Sequence, residues 1–219
     1  MKTKQMNGVS LALTTLAAAA LLAGCGTTSG YKQADKTGEG IAEFRAEISN
    51  GKKAIDNTMK GLDAVALSAT TDPRKAFEQY SKAVSELASV AEKAKKRATD
   101  MQVAGKAYFD QWEKQMAEVQ NPEIRKLAQD RKAKLQEAFA SIKKYAEPLK
   151  AQFGPWMSDL KDLQTFLSND LTVAGVDSAK ELFAKTKSEG QEVQKSMDGL
   201  IAELNTVSAT LTPAKAAKQ

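Results

Sequence analysis

The chain has no histidine, and among its 219 residues there are one cysteine, Cys25, and five prolines. The missing histidine removes the commonest metal ligand and the commonest general base. A single cysteine forbids an intramolecular disulfide, and without histidine it also rules out zinc sites built from four cysteines or from two cysteines and two histidines. Aromatic residues make up 6% of the chain against 27% charged residues, a balance that suits long helices and disfavours a β sandwich. Neither a glycine-rich phosphate loop nor a nucleophile elbow occurs. The expectation is a protein that is not an enzyme and needs no cofactor or small-molecule substrate. The formal charge of +5 does not read as a nucleic-acid footprint, because lysine and arginine alternate with acids along the whole chain.

What is present begins with an address. Lys2 and Lys4 form a short basic start, and residues 9–23 are apolar apart from Ser10, Thr14 and Thr15. That run is shorter than the roughly 20 apolar residues of a membrane span and ends in small side chains, as a cleaved export signal does. Leu22, Ala23, Gly24 and Cys25 resemble the lipobox of bacterial lipoproteins, which implies cleavage before Cys25 and acylation of its thiol. A plain secretory signal with an incidental cysteine, or an uncleaved anchor helix, fits less well. A free exported thiol is usually avoided, and the run is short. The resemblance implies a signal peptide over residues 1–24 and attachment to a membrane through Cys25. Because Gly26 is not an aspartate, it also implies the outer membrane of the cell envelope, facing the periplasm.

Residues 25–40 are rich in Gly, Ser and Thr, show no apolar period, and read as a flexible tether. From Ile41 the spacing of apolar residues alternates between three and four, the period of helices packed on one another. The first such helix runs to about Ala69, where Thr71-Asp72-Pro73 supplies a cap and a first-turn proline. A second of about 47 residues carries a seam from Phe77 through Tyr80, Val84, Leu87, Ala91, Ala94, Ala98 and Met101 to Val119. At 1.5 Å per residue it would be about 70 Å long, so the molecule should be elongated. Asn121-Pro122 opens a third helix, whose seam includes Ile124, Leu127, Leu135, Ile142, Tyr145 and Leu149 and slips phase near Pro148 and Gly154-Pro155. A kinked continuous helix is expected there. After a connector at residues 169–177, Ser178 and Glu181 read as a capping box for a fourth helix that ends near Leu211. Residues 212–219 read as a disordered tail.

Connections this short make all neighbours antiparallel. The predicted fold is therefore all-α: an elongated antiparallel four-helix bundle over residues 41–211. Its two central helices should project as a coiled-coil hairpin over about residues 104–137. Register should place Gly51 level with Ala91, with small residues forming a waist of close approach.

The order and spacing of Tyr108-Phe109-Asp110-Gln111-Trp112-Glu113, Ile124-Arg125, Glu147-Pro148-Leu149 with Phe153, and Phe166-Leu167 with Asn169-Asp170-Leu171 resemble the bacterial domain-of-unknown-function family 2959. The resemblance covers about residues 76–207 and implies an exported helical protein. It supplies no catalytic residue.

Three sets of residues are candidates for a site. Acid pairs at i,i+3, namely Asp110 with Glu113, Glu189 with Glu192 and Asp159 with Asp162, are of the type that can hold a cation, but they fit a solvated helix flank better. Lys93, Lys95, Lys96 and Arg97 form a basic cluster suited to anionic headgroups, or simply another exposed flank. Phe109, Trp112 and Met116 lie on the expected arm, where Trp112 should be core and Phe109 is the harder side chain to bury. That arm is the expected surface for a protein partner or for self-association. The leading expectation is a non-catalytic envelope lipoprotein acting as scaffold or partner-binding module. The alternative is a helical protein that binds the membrane surface.

Overall fold

The computed structural model describes residues 29–211, and the proposed signal peptide, Cys25 and the tail at residues 212–219 lie outside them. The described residues are 92% helical, with no strand among them. Four long helices, α1 (Gly30–Ser68), α2 (Arg74–Ala117), α3 (Pro122–Asn169) and α5 (Lys180–Leu211), are joined by tight connections, the last of which contains the short helix α4 (Val173–Ser178). α1 packs on α2, α2 on α3, α3 on α5, and α5 back on α1.

The connections explain that order. The Asp72 carboxylate accepts the Arg74 amide at 3.1 Å, and Asn121 accepts the amides of Glu123 and Ile124 at 2.9 and 3.2 Å. Each side chain satisfies amides that a starting helix would leave bare, so each turn reverses the chain within a few residues. The connector after α3 differs from expectation. Thr172, not Ser178, accepts an amide there, from Gly175 at 3.1 Å, while the Ser178 hydroxyl donates to the Gly175 carbonyl. The capping box does not form because residues 173–178 already turn as α4.

Register can be read from facing residues. Thr37 Oγ1 donates to the Ala104 carbonyl, and Gly40 and Gly61 lie against Met101 and Tyr80. In all three pairs the residue numbers add to 141, so Gly51 falls level with Ala91 to within a residue, as expected. Between α1 and α5 a polar ladder joins Arg45 to Asn205, Lys52 to Asp198, Asp56 to Gln194 and Asp63 to Lys187. Those numbers add to 250 in every rung. Such exposed pairs contribute at most about 1 kcal/mol each, so the ladder reports alignment more than it supplies stability. The stability comes from the enclosed seam, in which Ile41, Ile55, Leu62, Val65, Tyr80, Leu135, Leu160, Leu167, Leu200 and Leu204 are fully buried. The two largest polar aromatics inside are satisfied: the Tyr80 hydroxyl donates to the Leu160 carbonyl at 2.7 Å and the Trp156 indole to the Thr186 carbonyl at 2.8 Å.

Two expectations fail on length. α1 begins at Gly30, so residues 30–40 are helix and not tether. Ala34, Thr37, Gly38 and Ile41 continue the buried stripe upstream, and packing against α2 outweighs the poor helix propensity of glycine and threonine. As a result the central pair does not project bare from about residue 104. Gly30 reaches Gln115, and the Arg131 guanidinium donates to the Thr210 carbonyl near the end of α5. Among the described residues only the last turn of α2, the reversal at residues 118–121 and the first turns of α3 extend beyond the flanking helices. There Ile124 and Leu127, expected in the seam, are 50% and 69% exposed, and Tyr145 further along is also exposed.

α3 runs unbroken through Pro148 and Pro155. Each proline lacks an amide for the carbonyl four residues earlier. Those carbonyls belong to Lys144 and Ala151, both exposed, so water can take the missing bond.

The register makes one substitution act with opposite signs in the same helix. A Cβ on Gly40 would meet the Met101 Cα at an ordinary 3.6 Å, whereas on Gly61 it would lie 3.0 Å from the Tyr80 Cα. Gly40→Ala should stabilise by about 0.5–1 kcal/mol through helix propensity. Gly61→Ala should destabilise by about 1–3 kcal/mol by forcing backbones apart. Urea unfolding of the two variants checks both, and equal effects would overturn the register.

Candidate functional site

Among the described residues, the seam between α2 and α3 is where neighbouring long helices stand apart over a long stretch. Along it α2 presents Ala91, Ala94, Ala98 and Gly105, and α3 answers with Phe139, Ile142, Ala146 and Phe153. Residues of α1 and α5, among them Ile48, Gly51, Met197 and Leu200, close the floor. The result is an apolar groove of about 840 Å³. The expected waist is thus a gap. Gly51 and Ala91 are level, but Ala91, Ala94 and Ala98 only line the gap, and α2 meets the Phe139 ring of α3 further along, at Gly105. Close approach occurs instead between α1 and α2, at Gly40 and Gly61.

The groove is bounded at both ends by contacts. Tyr80 bonds to Leu160 at one. At the other Phe109 meets Phe139 edge-to-face, with ring centroids 5.5 Å apart, and Lys132 bonds to Glu113. Beyond that bridge a second cleft of about 340 Å³ opens toward the reversal, walled by Trp112, Met116, Arg125, Gln129 and Lys132.

This places the three arm residues. Phe109, Trp112 and Met116 are each half-buried. Tyr108, itself buried, joins Phe109 and Trp112 at centroid distances of 5.3 and 5.7 Å. Phe109 therefore lines the groove and braces α3, while Trp112 and Met116 line the outer cleft and Trp112 is not core. Leu22, Ala23, Gly24 and Cys25 lie outside the described residues. The groove itself was missed in the sequence, although four small seam residues of α2 were its signal.

Five of the six acids in these pairs, all but Asp162, bind lysines. Asp110 binds Lys106 at 2.6 Å, Glu113 binds Lys132, Asp159 and Glu189 share Lys185, and Glu192 binds Lys195. Among the described residues no group of three or more acids and cysteines is placed to hold a metal ion. In the basic cluster Lys96 pairs with Asp100 at 2.7 Å within α2, and Arg97 pairs with Glu43 of α1 at 2.8 Å, tying the two helices together.

Burial pushes the Tyr80 phenol well above its ordinary value, and hydrogen bonds to acids raise Lys106 and Lys185. The hydrogen bond from Arg74 lowers the Asp72 carboxyl.

The described residues form long antiparallel helices with an apolar groove between α2 and α3. The chain matches the family described as a protein of unknown function (DUF2959) over residues 27–211, and it belongs to that family. No curated protein and no solved structure matches it.

Groups with raised pKa contribute stability that is present below their unfolded values and lost as pH rises past the folded ones; Asp72, lowered, contributes above its unfolded value and is lost on acidification. With no histidine in the chain, the unfolding free energy should be flat between about pH 5 and 9 and should fall outside that window. Chemical denaturation across pH checks it, and a step near about pH 6.5 would contradict it. Separately, a double-mutant cycle of Phe109→Ala and Phe139→Ala should give a coupling of about 0.5–1.5 kcal/mol for the edge-to-face pair. Additive effects would mean the rings do not brace the groove.

Proposed function

We propose that this protein is a non-catalytic lipoprotein of the bacterial cell envelope, acylated on Cys25 and held by that lipid at the outer membrane facing the periplasm. The folded part serves as a helical scaffold or partner-binding module. The observation that carries the reading is the N-terminal segment: a basic start, a short apolar run, and Leu22, Ala23 and Gly24 leading into the sole cysteine.

The helical part supports it in two ways. Four long helices in up-and-down order fit an elongated four-helix bundle, with a short coiled-coil hairpin formed by the ends of α2 and α3. Gly30 follows Cys25 by only five positions, a reach of at most about 17 Å. Acylation would therefore hold the reversal at residues 118–121 close to the bilayer, because α1 starts beside Gln115. The end first read as a free arm would become the membrane-proximal end.

A second reading, binding to the lipid surface by the folded part itself, draws support from Tyr31, Ile124 and Leu127, all exposed at that same end. No helix among the described residues is long and apolar enough to cross a membrane.

Metabolic labelling with an alkyne fatty acid tests the first reading. The native chain should take the label and sediment with membranes, and Cys25→Ser should do neither. Labelling that survives Cys25→Ser would end the proposal. Vesicle flotation of the Cys25→Ser chain addresses the second reading, which needs flotation that is lost when Ile124 and Leu127 become Ser.

A further inference from the structure

We propose that the groove between α2 and α3 is a binding site for a long-chain fatty acid, with the hydrocarbon lying along Ala94, Ala98, Phe139 and Phe153 and the carboxylate held at the rim by Lys150. The site goes beyond the lipoprotein reading and does not depend on Cys25 being acylated.

Dimensions choose the occupant. The lining runs from Leu87 to Phe109 on α2 and from Phe139 to Phe153 on α3. At 1.5 Å per residue those stretches are about 33 and 21 Å long. Contacts close the slot at both ends, Tyr80 to Leu160 and Phe109 to Phe139, so its occupant has a bounded length. One acyl chain spans about half of a roughly 30 Å hydrocarbon layer, so the slot is long enough for it with room to spare. The volume also falls within the roughly 300–1,000 Å³ of ordinary ligand sites.

Charge chooses the head. The rim carries Lys95, Lys106, Lys143 and Lys150 against Glu47, Glu92 and Glu147. Lys106 is committed to Asp110 and Lys143 to Glu147, at 2.6 and 3.4 Å, and Lys95 reaches Glu92 only at 3.8 Å. Among the described residues Lys150 has no carboxylate partner. An anionic head therefore finds one uncommitted ammonium and one weakly held one at the mouth of an apolar slot. The stretch along Ala91, Ala94, Ala98, Phe139 and Phe153 offers no side-chain hydrogen bonds, which suits a methylene chain and not a peptide backbone.

The test uses the full chain carrying Cys25→Ser, with oleate as the titrated probe in calorimetry and a diazirine fatty acid for photocrosslinking. Oleate should bind, and crosslinks should fall within residues 87–109 and 139–153. Ala94→Leu with Ala98→Leu fills the slot and should weaken binding at least about tenfold without lowering the melting temperature. If that pair fails to fold, Ala98→Leu alone carries the same expectation. Lys150→Glu should weaken oleate binding about three- to tenfold while leaving the melting temperature unchanged. Overturning results are no oleate binding, binding that Ala98→Leu leaves intact, crosslinks confined to residues 9–23, or a groove protected because the chain dimerises through it.

Discussion

Antiparallel packing of α1 on α2 is the constraint from which the other contacts follow. The two helices stay in register from Gly61 against Tyr80 to Thr37 against Ala104, and Gly40 and Gly61 of α1 face the backbone of α2 directly. That closeness puts Ile41, Ile55, Leu62 and Val65 on the inner face, where α5 can cover them and align through its polar ladder. α3 is then placed from its two ends, by the reversal after α2 and by its packing on α5. Nothing equivalent pulls its middle onto α2.

A packing rule follows from that arrangement. Where a glycine faces the partner's backbone, as Gly61 faces Tyr80, the helices approach closely; where small residues face large side chains held by other neighbours, a space opens. Ala91, Ala94 and Ala98 belong to the second case. Phe139 and Phe153 stay half-buried beside the gap because α5 and the floor residues hold α3 at a fixed distance. The open seam is a property of four helices satisfying three close interfaces at once.

The sequence was informative where periodicity and punctuation agree. Asp72-Pro73 and Asn121-Pro122 mark reversals that the structure has, and the seam from Phe77 to Tyr108 predicts the register of Gly51 with Ala91. It misled where composition and packing disagree. The segment from Gly30 to Gly40 looks like linker because its stripe of Ala34, Thr37 and Gly38 is small and barely apolar; only the presence of α2 makes it helix. The short helix after Thr172 hid behind a motif that fitted equally well at Ser178. Ile124 and Leu127 keep the seam period but outrun the helices that would bury them. The groove was written in four small residues whose consequence depended on a neighbour's position, which no single helix encodes. The proposal that Leu22 to Cys25 form a lipobox rests on the sequence alone.

The two tryptophans fall in very different surroundings. Trp156 is buried and bonded to Thr186 in the four-helix core, while the half-buried Trp112 lies beside the outer cleft toward the reversal. The molecule therefore carries its own pair of optical markers. Emission from Trp156 reports the enclosed core, and emission from Trp112 reports the end next to Gly30. Loosening at the end where α1 begins would change one colour of the protein's fluorescence and leave the other as it was.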